Sequence, residues 1–112
     1  MTEVRDNKTY KLRTPHVEEA VYLTIIDDEN GNPIQMLINS KNMTNYQWIE
    51  ALMRFVSLAL VNGDIKKVIA ELKTTFDPHH GGYVKPGTDQ WVNSFINHIG
   101  DTLEKHWKEK EE

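Results

Sequence analysis

Hydrophobic and polar positions alternate with a period of two in the first third of the chain and with a helical period after it. Residues 1–16 are polar and close on Thr14-Pro15, which fits an arm or a short edge strand. "EAVYLTIID" then puts Val21, Leu23 and Ile25 on one face and Tyr22, Thr24 and Ile26 on the other. Its many β-branched residues predict a strand covered on both faces. "DENGN" is a turn, because Asn30-Gly31 accepts the positive φ of a tight hairpin. "PIQMLINS" returns as the second strand, with Ile34, Met36 and Ile38 against Gln35, Leu37 and Asn39. Pro33 opens it, where proline is tolerated.

Thr44 and Gln47 have the spacing of a capping box. The helix they predict runs to about Val61, with Asn62-Gly63 as a left-handed stop. Apolar residues from Trp48 to Val61 occupy most of its circumference, and only Glu50, Arg54 and Ser57 make a polar stripe. A helix apolar nearly all round is buried on more than one side. One side meets the sheet, and the other needs a second helix or another subunit. The expectation is a homo-oligomer, a dimer or a dimer-based assembly, with some of Ile49, Met53, Val56 and Leu60 at the contact. Asp64 caps a short helix, "IKKVIAELK", that turns Ile65, Val68, Ile69 and Leu72 inward. Thr88 caps a last helix with the stripe Trp91, Val92, Phe95, Ile96, Ile99 and Leu103. The fold class is α+β: an N-terminal antiparallel β-hairpin or small meander followed by three helices. The whole chain, 1–112, reads as one domain, with 107–112 a solvated tail.

Composition narrows the function classes. A net charge of −4 without a Lys/Arg cluster argues against nucleic acid as a partner. The absence of cysteine removes disulfides and thiolate chemistry. Residues 1–14 hold no apolar leader and no run reaches membrane-spanning length, so a cytoplasmic protein with no membrane partner is expected.

Three stretches carry a family resemblance. "DENGNPIQMLINS", "WIEALMRFVSLALVNG" and "IKKVIAELK", followed by a glycine-containing loop into "TDQW", are similar to the TSCPD domain over roughly 15–106. Asp28, Gly31, Pro33, Ile38 and Asn39 fit the family's turn and strand. Trp48, Glu50, Ala51, Leu52, Arg54 and Ser57 to Leu60, closed by Gly63, fit its helix. That module is best known at the C-terminus of cobalamin-dependent ribonucleotide reductases and also occurs alone. The Thr-Ser-Cys-Pro-Asp run behind its name reads "KPGTDQ" here, with Asp89 and Gln90 matching and Gly87 in the place of the cysteine. Gln35 replaces a usual strand glutamate. The resemblance implies a fold and a link to nucleotide biology, not an activity.

"TTFDPHHGGYVKPGTDQW", residues 74–91, is the segment least like scaffold. As metal ligands, His16, His79, His80, His98 and His106 are poorly spaced, so no metal and no cofactor are expected. Ser40, Ser57 and Ser94 have no elbow motif, and the acidic pairs Asp27-Asp28 and Glu18-Glu19 sit where solvated acids are the norm, so no catalytic residue is assigned. An anion cradle fits better. Gly81, Gly82 and Gly87 permit close approach, and the loop feeds a helix start at Thr88, whose free amides suit phosphate. Lys85, His79 and His80 add donors; Phe76, Tyr83 and Trp91 offer stacking faces; Gln90 and Asn93 offer hydrogen bonds. Glu50 or Arg54 is expected to complete the pocket across an oligomer. Histidine protonation would then strengthen binding as pH falls.

Two functions follow. The first is a non-catalytic binding module for a phosphate-bearing, nucleotide-like small molecule, a sensor or a sponge such as a phage protein that sequesters a nucleotide immune signal. The alternative is a detached accessory domain that docks on a cobalamin-dependent ribonucleotide reductase chain.

Overall fold

The computed structural model describes residues 7–15, 17–41 and 46–111. Three strands, β1 (Asn7–Leu12), β2 (Val21–Asp27) and β3 (Pro33–Ser40), form an antiparallel meander in sequence order. The hairpin turn works as its residues demand. Asp28 Oδ1 accepts from the Asn30 and Asn32 amides at 2.8 and 3.0 Å, and Gly31 takes φ +84°. Alternation sends Val21, Leu23, Ile25, Met36 and Ile38 into the core. The opposite face is not covered: Tyr22 and Leu37 are exposed, which corrects the expectation of a strand buried on both sides.

The helices α1 (Gln47–Asn62), α2 (Ile65–Lys73) and α3 (Phe95–Glu111) lie on the buried face and complete an α+β fold. Thr44 of the expected capping box lies outside the described residues, as do residues 1–6 and His16. Gly63 is extended (φ −132°), not left-handed. It is needed for room, because a Cβ there would stand 2.9 Å from the Ala59 carbonyl oxygen. Asp64 caps α2 as read, accepting from the Lys66 amide at 2.9 Å.

The apolar circumference of α1 divides in two. Ile49, Met53, Val56 and Leu60 are buried in the molecule's own core, so they are not the subunit contact that the sequence suggests. Trp48, Phe55, Leu58 and Val61 are the residues left outside. Nor is the polar stripe a single feature. Glu50 and Arg54 are exposed, whereas Ser57 turns to the edge strand β3. There its Oγ accepts from the Met36 amide at 2.9 Å and donates to the Met53 carbonyl at 2.8 Å. That contact occupies an edge amide that would otherwise be open to pairing.

The last helix starts later than the sequence implies. Residues Tyr83–Val84 (β4) and Trp91–Val92 (β5) pair as a small antiparallel ribbon, and α3 begins at Phe95. Its cap is Ser94, whose Oγ accepts from the Asn97 amide at 3.0 Å and donates to the Thr75 carbonyl at 2.6 Å. Two buried links tie α3 down. His106 Nε2 donates to the Asp27 carboxylate at 2.9 and 3.0 Å, while its Nδ1 meets the Tyr10 hydroxyl at 2.7 Å. Asp27, expected to be solvated, is fully buried. Trp107, assigned to the solvated tail, packs partly buried against the core. No described helix is long and apolar enough to cross a membrane.

Candidate ligand-binding clefts

The 74–91 segment is a turn followed by a hairpin. Asp77 organises the turn: its Oδ1 accepts from the His79 and His80 amides at 2.9 and 3.1 Å, and its carbonyl accepts from Gly81. Those amides, His80 first, hold its carboxyl down at about 2. Gly81 takes φ +72° with open space around it. Gly82 differs, because a Cβ there would fall 2.4 Å from the Trp91 ring and 2.3 Å from the Val92 carbonyl oxygen. Its closeness serves the ribbon, not a ligand.

Thr88 is where the cradle fails. Its Oγ1 donates to the Lys85 carbonyl at 2.9 Å and accepts from the Gln90 amide at 3.1 Å, with Gly87 at φ +81° beside it. This is a local turn motif that competes with a helix start. The amides of the true start are capped by Ser94. The donors are occupied as well. Lys85 is buried, ion-paired to Asp101 and bonded to Gln90 Oε1 at 3.2 Å. Gln90 Oε1 also accepts from Lys105 at 2.9 Å, and Asn93 Oδ1 accepts from Trp91 Nε1 at 3.0 Å. Tyr83 is buried and donates its hydroxyl to His98 Nδ1 at 2.7 Å. Arg54 stands exposed, 3.9 Å from Glu50 on its own helix. Of the aromatic and histidine candidates, Phe76, His79, His80 and Trp91 stay exposed.

What the fold gathers is centred on Trp48, 61 % exposed on α1. Three adjoining clefts of about 310, 380 and 430 Å³ share it. The first is walled by Thr14, Val17, Tyr46, Trp48, Ile49, Asp77, His80 and Phe95. The second brings Phe76, Pro78 and His79 to the same tryptophan. The third runs between α1 and α2 past Leu52, Phe55 and Val68. A separate cleft of about 320 Å³ is lined by Lys11, Arg13, Lys85, Pro86, Thr88 and His98.

A family model for the TSCPD domain matches residues 2–107. The chain belongs to the TSCPD domain family. No curated protein and no solved structure matches it. In this TSCPD domain Gly87, at φ +81°, serves the ribbon turn.

The electrostatics of this TSCPD domain separate the clefts. The Trp48 clefts carry the ionised Asp77 and aromatic faces, which suit a ring more than a phosphate. The cleft at β1 holds the exposed cations Lys11 and Arg13. His98 adds no charge there near neutrality, since burial and then the Lys85 ammonium hold it down at about 4. Of two consecutive residues, Thr14 lines the first Trp48 cleft and Arg13 the cationic one, and Arg13 also lines a further cleft with Glu18, Glu19 and Lys41. Sequence reasoning missed Tyr46, Trp48, Phe95, Lys11 and Arg13. An alternating basic strand and an over-apolar helix were the available signals, but their meeting depends on the fold.

Proposed function

We propose that the protein is a non-catalytic binding module for a phosphate-bearing, nucleotide-like small molecule, acting in the cytoplasm as a sensor or sponge. Sequestering a nucleotide immune signal for a phage is one such use. The observation that supports this reading is the adjacency, at Arg13-Thr14, of an aromatic cleft and a cationic one. A base stacks on Trp48 while Lys11 and Arg13 meet the phosphates. This reading places the ligand beside the 74–91 segment, with Phe76, Asp77 and His80 as one rim.

Calorimetric titration with linear and cyclic nucleotides tests it. Trp48→Ala should weaken binding about tenfold or more, since stacking on one base is worth ~1–3 kcal/mol. Arg13→Ala should weaken it less at high salt than at low salt. A nucleotide that binds with neither change felt would put the site elsewhere. No binding across the panel would end the nucleotide reading.

The second reading, an accessory domain that docks on a cobalamin-dependent ribonucleotide reductase, is favoured by the family match and by the uncovered outer face of α1. Co-elution with such a reductase chain, lost in Phe55→Ser, supports it. In the first reading that face instead joins copies of the chain into a homo-oligomer, dimeric or dimer-based, whereas in the second the reductase chain covers it.

A further inference from the structure

Tyr46 is 6 % exposed, and among the described residues its hydroxyl is the buried side-chain polar atom that has no hydrogen-bond partner. Leaving a hydroxyl buried and unpaired is unfavourable, and phenylalanine would avoid that cost. The hydroxyl belongs to a residue that walls the 310 Å³ cleft beside Trp48 and Phe95. Burial, with the Glu19 carboxylate, pushes the phenol's pKa up, so the group is a proton donor.

Asp77 lines the same cleft and offers the complementary chemistry. Its Oδ1 is taken by two backbone amides, whereas Oδ2 meets the His80 ring, at 3.1 Å, among the described residues. The cleft therefore combines aromatic walls, one O–H donor and one anionic acceptor, in a volume at the low end for small-molecule sites. A phosphate is repelled by Asp77. An amino group is attracted.

We propose that this cleft selects a flat heteroaromatic ring bearing an amino group next to a ring acceptor, as in adenine or cytosine. Asp77 accepts the amino N–H, and the Tyr46 phenol, whose hydroxyl is shielded from solvent in the free protein, turns to donate to the neighbouring ring nitrogen. The proposal rests on the nucleotide reading and adds which bases that site takes. An oxo group in place of the amino group sets lone pairs against the carboxylate, so oxo bases are rejected.

The test is calorimetry with the monophosphates of adenosine, inosine and purine riboside, the last lacking the amino group. Wild type, Tyr46→Phe and Asp77→Asn are compared, with thermal melting of each free protein. The adenosine form should bind at least tenfold tighter than the other two. Tyr46→Phe should weaken it several-fold while leaving the melting temperature unchanged or higher, because no internal bond is lost. Asp77→Asn keeps an oxygen for the turn amides and supplies an amide donor, so it should move the preference towards inosine. Equal binding of the three ligands, Tyr46→Phe with unaltered affinity, or Tyr46→Phe melting several degrees lower would each overturn the proposal while the nucleotide reading stands. Absence of binding by all three monophosphates and by the cytidine form at millimolar concentration would overturn the proposal, and absence across the wider panel of linear and cyclic nucleotides would end the nucleotide reading as well.

Discussion

A single buried carboxylate shows how residue identity becomes fold. Asp27 ends β2 on the core side, fully buried, and the His106 Nε2–H satisfies both of its oxygens. The Tyr10 hydroxyl closes the chain on the other ring nitrogen at 2.7 Å. One polar network thus joins β1, β2 and the far end of α3. Asp27→Ala should cost about 3 kcal/mol or more, because removing one partner strands the other in the core. Urea unfolding measures this, and a loss below about 1 kcal/mol would show that the network does not hold α3. The alternation of β2 put Asp27 on the inner face, but its charge and the acidic neighbour suggested solvent. The partner that reverses that reading lies 79 residues away, where no local pattern reaches.

Elements were legible where periodicity and caps agreed. The meander, Asp64 at the start of α2 and the apolar stripe of α3 follow from alternation, capping and helical spacing. Failure came where a local motif has two outcomes. Thr88 fits a helix cap or a hairpin turn, and Gly87 at φ +81° with the Lys85–Gln90 closure decides for the turn. The phosphate cradle built on that start went with it. For α1 the amount of apolar surface was legible but not which side meets the sheet. Met53 is 1 % exposed, whereas Phe55 is 70 % exposed. Met53→Ala should therefore lower stability by ~2–5 kcal/mol through a core cavity. Phe55→Ser should leave the core intact and, on the proposal that copies join through this face, convert a wild-type oligomer to monomers. Light scattering at micromolar concentration decides, and an unaltered mass in Phe55→Ser would remove α1's outer face as the subunit contact.

At the scale of the whole molecule, α3 carries a column of titrating groups on the side that meets the ribbon and α2. Burial, with the Lys85 ammonium, holds His98 at about 4, below its ordinary 6.5. Burial pushes the Asp101 carboxyl up, but Lys85 and Lys105 outweigh it and the net shift is downward. Glu104 is lowered chiefly by its hydrogen bond from Lys73, at 2.6 Å. All three signs agree. Between pH 6.5 and 4 the unfolded chain takes a proton on His98 that the folded chain refuses, so stability falls with pH by at most about 3 kcal/mol. The carboxylates add their own loss below about 4.5, where the unfolded chain protonates them first. Near neutrality His98 stays neutral and accepts the Tyr83 hydroxyl, which keeps the ribbon seated on α3. His98 therefore cannot supply the charge that an acid-strengthened nucleotide site requires between pH 7.5 and 6. Urea midpoints measured from pH 7.5 to 4 should decline most steeply below 6.5. In His98→Gln, whose amide oxygen can still take the Tyr83 hydroxyl, that decline should flatten above pH 4.5 and persist below it. If both proteins lose stability in parallel across the whole range, His98 is not the group that acid attacks.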